Sequence, residues 1–357
     1  MLKLYTYSIP FVSPFITSGN TFTHREGLII SFENSGVTAF GEVAPLPGFS
    51  EFQLEPIISI LKLNKDVLQN ALIQNEFEQY FHVLGQIHNI PSLKFGLDTL
   101  YHDYQAKKAG LPLVRYLFNN DFSSKVNVNA TLGIDTIENT IEQARKLSSL
   151  GYNTFKLKTG EAFEKEYEIL EALRSSLPEI KIRIDANQSW SYNQAVENLQ
   201  RCKHLDIEYC EEPLIATERN RWKDLKDSTG FNFAADESFR NKANALQLQE
   251  QNAVETFILK PMMFGSFSEI NVTKQLSTSH GISVVFTTSL ESIIGRTMTA
   301  ILALGWGAKK YAHGLATGSL LKHDIGKGSH ISDGAFYSPS EVGLGVNVNF
   351  KILKEIK

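Results

Sequence analysis

The sequence predicts an α/β protein, a (β/α) TIM-like barrel preceded by an α+β segment, on three observations. After Lys125 short β-rich runs alternate about seven times with amphipathic stretches, a texture that suits a barrel of parallel strands with compact helices outside. No G-x-G-x-x-G opens the first crossover, which argues against a doubly wound open sheet. The first part of the chain reads differently, as strands followed by helices, and 357 residues are enough for a barrel with an appendage.

Residues 2–9 and 27–33 alternate like strands, and GEVAPLPG (41–48) holds the Pro and Gly of a loop. From residue 54 to 86 apolar side chains recur at helical spacing. In PSLKFGLDTLYHDYQAKKAG, Leu97, Leu100, Tyr101 and Tyr104 share one helix face. Pro91 suits the start of that helix, and Gly110 followed by Pro112 suits its stop. Beyond Lys125 the alternation runs VNVNATL then DTIENTIEQARKLSSLG, NTFKLKTG then FEKEYEILEALRSSL, and IKIRIDANQ then SYNQAVENLQRC. It continues through IEYCEEP, FNFAADES, ETFILKP and ISVVFTTS, with strand ends expected near residues 131, 158, 185, 211, 236, 260 and 287.

Composition narrows the partners. Hydrophobic residues make up 42% and charged residues 21%, which supplies a full core and excludes disorder. Lys and Arg number 35 against 39 Asp and Glu, a formal charge of −4 without a basic run, so nucleic acid and anionic membranes are poor partners and a small molecule is expected. The opening MLKLYTYSIPF lacks the features of a signal peptide, and no apolar run approaches a bilayer span, so a cytoplasmic protein is expected. Cys202 and Cys210, the two cysteines, match no zinc spacing and read as core residues.

An ionisable residue stands at the end of each middle strand: Lys156 and Lys158 in FKLKTG, Asp185 in RIDAN, Glu211 in EEP, Asp236 in AADES and Lys260 in ILKP. One such charge is an ordinary loop residue. Five consecutive units carrying one suggest a functional rim, because charges at buried strand ends cost free energy unless paired or bound to a metal. Residues i and i+2 of a strand share a face, so Lys156 and Lys158 project together toward the barrel interior. Counted from VNVNATL, the lysine pair ends strand two, the carboxylates end strands three, four and five, and Lys260 ends strand six. In a ring of eight, strands two and six are opposite, so the lysines flank an arc of three carboxylates. Oxygen ligands without sulfur or imidazole favour a hard cation such as Mg2+. That layout suits removal of a proton next to a carboxylate, since a divalent cation stabilises the second charge the carboxylate then takes.

With these residues in place the sequence resembles the enolase superfamily, in its muconate-lactonizing subgroup. The K-x-K, D-x-N, E-x-P, D-E-S and K-P motifs stand in that family's order over nearly the whole chain, and the pairing of a lysine base with Mg2+ is an established trait of the superfamily. The resemblance implies a (β/α)7β barrel over residues 121–319 and an α+β capping domain over residues 1–120, rejoined by the C-terminal segment 320–357. It implies Mg2+ held by Asp185, Glu211 and Asp236, with Lys158 and Lys260 on opposite faces of the substrate. Glu211 fits the ligand position better than Glu212. Within the subgroup, GEVAPLPGFSE (41–51), TSLESIIG (288–295) and HGLATG (313–318) are most similar to o-succinylbenzoate synthases. Those lyases dehydrate 2-succinyl-6-hydroxy-2,4-cyclohexadiene-1-carboxylate in menaquinone biosynthesis. Dipeptide epimerases of the subgroup typically carry D-x-D after the last barrel strand, where this chain has Leu315 and Ala316. N-succinylamino acid racemization uses the same ring of residues and stays open.

For dehydration Lys158 is expected to do all the proton transfer, with Lys260 as an electrostatic partner and Lys156 tuning Lys158 and touching a carboxylate oxygen. Asn187 either orients water on the metal or forms a turn. Thr288 and Ser289 either donate to the succinyl carboxylate or cap the next helix, and Glu291 reads as a carboxylate in that helix's first turn. Ser18, Gly19, Arg25 and the Phe49–Ser50 loop are candidates to close over the substrate. Two rival classes are a Schiff-base lyase using Lys260, which leaves three carboxylates without a role, and a barrel that binds without turnover.

Overall fold

The computed structural model describes residues 1–16, 21–81, 89–133, 135–160, 163–240 and 242–356. Its first layer is an antiparallel sheet of β1 (Leu2–Ile16), β2 (Thr21–Asn34) and β3 (Val37–Val43). β2 and β3 are joined by a tight hairpin in which Ser35 and Gly36 both have positive φ, the geometry that matches the twist of the flanking strands. Strand alternation sends Leu2, Leu4, Leu28, Ile30 and Phe32 to one face and Tyr5, Tyr7, Ile9 and Ile29 to the other.

The first face is covered by α1 (Leu54–Leu63), α2 (Lys65–Gln74) and α3 (Pro91–Lys108). α3 starts with Pro91 in its first turn, where the missing N–H is harmless. It lies against β3 so closely that a Cβ on Gly41 would overlap the carbonyl oxygen of Gly96. The second face belongs to the same apolar cluster as the layer between the barrel strands and their outer helices. A short α4 (Leu113–Phe118) leads out of this cap.

The barrel follows β4 (Lys125–Asn127) and consists of β5 (Ala130–Leu132), β6 (Thr154–Lys158), β7 (Lys181–Asp185), β8 (Ile207–Glu211), β9 (Phe233–Ala235), β10 (Thr256–Leu259) and β11 (Ser283–Phe286). They form one parallel sheet in sequence order, and each expected strand end falls within one residue of the observed one. Helices between them are α5 (Ile137–Ser149), α6 (Phe163–Ser176), α7 (Tyr192–Arg201), α8 (Trp222–Thr229), α9 (Lys242–Glu250), α10 (Pro261–Phe264), α11 (Phe267–Ser279) and α12 (Ile293–Trp306).

Residues 312–314 close the ring as a minimal eighth strand. Gly314 N–H donates to Phe286 O at 2.9 Å on one side, and His313 N–H donates to Asn127 O at 2.8 Å on the other. His313 helps by accepting the Phe286 N–H on Nδ1 at 2.9 Å. Burial, aided by the charge of Arg183, pushes this imidazole down to about 3, which keeps it neutral and an acceptor.

The lower barrel is plugged by Arg183, 1% exposed, lying over the rings of Tyr209 and Tyr311 and paired with Glu208 at 2.6 Å. The C-terminal segment adds β12 (Gly326–Lys327), β13 (Ile331–Ser332), β14 (Ala335–Tyr337), β15 (Asn347–Val348) and β16 (Lys354–Ile356). β14 pairs with β4, and β16 returns to the cap sheet beside β1.

Since the cap sheet and the barrel share one apolar cluster, calorimetry should record a single cooperative unfolding transition. Two resolved transitions would show that the cap folds as an independent unit. Among the described residues no helix is long and apolar enough to cross a membrane.

Candidate active site

Parallel register brings the strand-end charges together. Lys158, Asp185 and Glu211 are aligned across β6, β7 and β8, and Asp236 follows directly after β9. Asp185 and Glu211 side chains are 2% and 1% exposed. Both accept from Lys156 Nζ, at 2.8 and 3.1 Å respectively. On the far side, Lys260 pairs with Asp236. β6 and β10 lie opposite each other in the ring, separated on one side by β7, β8 and β9.

The electrostatics follow from this crowding. Burial works against a charged Lys156, but Asp185 and Glu211 outweigh it and hold its ammonium well above the ordinary lysine range. Burial likewise opposes charge on Asp185, yet Lys156, Lys158 and Lys260 keep its carboxyl below the usual value. Both opposed lysines thus act on one carboxylate. Glu211 goes the other way, pushed up to about 8 by burial and by the neighbouring Asp185 charge. For Lys260, burial is overcome by Asp236 and Glu237, and its ammonium is held above the ordinary range.

Among the described residues no group of three carboxylate, imidazole or thiol side chains stands as a formed metal cage; the lysines occupy the carboxylates instead. The donor set still fits a hard cation. Asp185, Glu211 and Asp236 are hard oxygen donors converging from three adjacent strands, and the first two are almost fully buried.

The two glutamates of EEP separate cleanly. Glu211 faces Lys156, while Glu212, with φ of 42°, turns away and accepts from the N–H groups of Asp236 (2.8 Å) and Ser238 (2.6 Å) and from Ser238 Oγ (2.8 Å). It thereby shapes the turn that presents Asp236. Burial and the adjacent Glu237 push its carboxyl up to about 8.

The remaining candidates divide. Phe49 and Ser50 line a cavity of about 780 Å³ together with Asp236, Glu237 and Lys260. Asn187 lies beyond the end of β7 with φ of 43°, and its amide donates to Glu237 Oε1 at 3.2 Å, so it forms a turn. Thr288 Oγ1 donates to Gly314 O at 3.0 Å and meets Thr317 Oγ1 at 2.8 Å. Ser289 Oγ is buried without a partner.

Neither Thr288 nor Ser289 caps α12; its N-cap is Ser292. Glu291 precedes the helix and accepts from Ser289 N–H at 2.6 Å, so the first-turn reading is corrected. Arg25 is 2% exposed and donates to the backbone carbonyls of Leu290, Glu26, Pro45 and Ala44. Ser18 and Gly19 lie outside the described residues.

Sequence reasoning missed Glu42. This cap residue, 1% exposed, accepts from the N–H groups of Ser292 (2.8 Å) and Gly295 (2.7 Å) at the start of α12, and from Ser292 Oγ (2.6 Å) and Tyr7 Oη (2.5 Å). Its only signal was a carboxylate inside the otherwise apolar run VTAFGEVA.

Comparison with known proteins agrees with this architecture. Residues 139–352 match the model of the family described as enolase C-terminal domain-like, and residues 1–102 match the MenC N-terminal domain. The chain is 27% identical over 335 residues to an L-Ala-D/L-Glu epimerase of Thermotoga maritima, covering 93% of this chain and 95% of that protein. It is also 27% identical over 368 residues to the o-succinylbenzoate synthase of Bacillus subtilis, covering 99% and 95%. Among solved structures, a dipeptide epimerase from Enterococcus faecalis complexed with Mg and L-Leu-L-Tyr superposes with a TM-score of 0.86 at 24% identity, covering 97% of this chain and 98% of that one.

Proposed function

From the premise that the chain belongs to the enolase superfamily, in its muconate-lactonizing subgroup, we propose that it is an o-succinylbenzoate synthase. It would dehydrate 2-succinyl-6-hydroxy-2,4-cyclohexadiene-1-carboxylate to o-succinylbenzoate, a step of menaquinone biosynthesis. The observation that carries this reading is the segment after the eighth strand. A dipeptide brings an ammonium group that needs a carboxylate, but here the chain presents Leu315, 4% exposed, and Ala316. The next acid along, Asp324, is taken by Arg296 at 2.6 Å and by the N–H groups of Ile293 and Ile325, both at 2.8 Å. A succinyl arm carries a carboxylate and no ammonium, so it leaves no cation stranded there. The match of residues 1–102 to the MenC N-terminal domain supports the same reading.

In this mechanism Lys158, exposed at the rim, removes the α-proton. The same ammonium returns it to the hydroxyl leaving on that face, so water departs and the ring becomes aromatic. Lys156 orients the substrate carboxylate edge beside Asp185 and Glu211, and Lys260 faces the ring from the other side as a fixed positive charge. A divalent cation such as Mg2+, held by Asp185, Glu211 and Asp236, would supply neutralisation for the second negative charge on the substrate carboxylate.

The opposed lysines also favour a second reading, racemization of an N-succinylamino acid, in which each lysine serves one enantiomer. Parallel assays with the cyclohexadiene, N-succinylamino acids and dipeptides in Mg2+ separate these. Dehydration is expected to lead, with kcat/KM on the order of 10⁴ M⁻¹s⁻¹ or above. Racemization without dehydration would replace the synthase reading.

A further inference from the structure

The loop after β11, residues 287–292, carries a backbone conformation that its own residues do not favour. Leu290 has φ of 66°, a left-handed conformation in which the Cβ of a non-glycine residue crowds the following carbonyl. The cap contributes to holding it there. The carbonyl of Leu290 accepts from Arg25 Nε at 3.1 Å. Arg25 belongs to β2 of the cap, and its other acceptors are also backbone carbonyls: Glu26 (2.8 Å) and Pro45 (3.0 Å) from Nη1, and Ala44 from Nη2. One buried guanidinium therefore joins three pieces of chain, namely a cap strand, the start of the cap loop that leads to Phe49, and the barrel loop that carries Thr288 and Ser289.

These pieces meet at the barrel mouth. Pro45 and Phe49 line the same cavity as Lys260, and Thr288 and Ser289 follow the carboxyl end of β11. Glu42 anchors the end of the same loop through Ser292, and Gly295 leaves the room it needs, since a Cβ there would stand 3.0 Å from Glu42 Oε2. On the clamped segment Ser289 Oγ and Glu291 Oε1 are buried without partners. Inside the loop one side-chain bond spans Leu290, from Ser289 N–H to Glu291 Oε2 at 2.6 Å; the tie to the cap comes from Arg25 and Glu42.

We propose that Arg25 is a positioning residue that locks the 287–292 loop to the cap, so that the cap loop lining the cavity and the barrel loop beside the substrate hold one fixed spacing. This goes beyond the assignment of the reaction and rests on it only in that the loop faces substrate. The planar fork makes the clamp specific to arginine, because a compact lysine ammonium cannot span the four carbonyls.

Arg25→Lys, Leu290→Gly and their double variant test the clamp, with hydrogen exchange of the 44–50 and 287–292 peptides read without substrate and KM and kcat read with it. Arg25→Lys is expected to speed exchange in both peptides and to raise KM about tenfold with less effect on kcat, as misplacement remote from the chemistry does. Leu290→Gly alone should leave KM near wild type, since Arg25 still holds the carbonyl. The double variant should recover part of the loss, because glycine adopts the left-handed conformation without help.

Should Arg25→Lys not be recovered folded, Leu290→Pro withdraws the carbonyl from the barrel side, since proline has no positive φ, and is expected to raise KM in the same way. Arg25→Lys or Leu290→Pro with a normal KM, or a double variant no better than Arg25→Lys, would overturn the clamp. So would unchanged exchange in 287–292 on Arg25→Lys, a result that needs no substrate and so stands apart from the identity of the reaction.

Discussion

Lys158→Ala is expected to abolish turnover, lowering kcat by about 10³-fold or more, because it removes the proposed general base and proton carrier on that face of the substrate. The fold should not suffer. Lys158 is exposed at the end of β6, and its removal should change stability by about 0.5 kcal/mol or less. Thermal melting together with single-turnover kinetics therefore separates loss of chemistry from loss of structure. Lys260→Arg divides the two reactions. Arginine keeps the positive charge but does not deprotonate in this range, so syn dehydration should persist at a measurable rate while racemization is lost in both directions. Lys158→Ala that dehydrates near the wild-type rate would remove the base from the mechanism.

Chelation with EDTA is expected to stop turnover and Mg2+ to restore it, and Glu211→Gln should abolish metal-dependent activity, since one of three anionic ligands is lost. Stability should move the opposite way. With its carboxyl pushed up to about 8 in the folded protein against about 4.3 in the unfolded chain, Glu211 binds more protons folded than unfolded between those values. Its contribution to the stability of the metal-free protein therefore falls as pH rises through that window. Metal-free Glu211→Gln should consequently melt higher than the parent at pH 9 and gain little from Mg2+, whereas the parent should gain most from Mg2+ at that pH. Melting curves at pH 5 and pH 9, with and without Mg2+, check this. A Glu211→Gln protein that is still activated by Mg2+ would take Glu211 out of the ligand set.

The barrel was legible in the sequence because parallel strand and helix report themselves locally. Period-2 and period-3.6 patterns end where the chain turns, and the strand ends at Lys158, Asp185 and Glu211 were readable to the residue. The eighth strand was not, for residues 312–314 are too short to show a period and acquire strand geometry only by bonding to Phe286 and Asn127. His313 was unreadable for the same reason, since its acceptor role exists only once β11 lies beside it.

The same division runs through the site. Residue type and strand parity by themselves determined which charges stand at the rim, because the spacing of a strand dictates which side chains share its face. Only the tertiary structure decided what each charge meets. It set Lys156 on Asp185 and Glu211, turned Glu212 away toward Ser238, and drew Glu42 and Arg25 from the cap onto a loop some 250 residues further along. Those pairings depend on closing the ring and docking a second layer on it. No local pattern encodes them, because a buried carboxylate or guanidinium is satisfied by whichever donor or acceptor the completed fold brings within hydrogen-bonding distance.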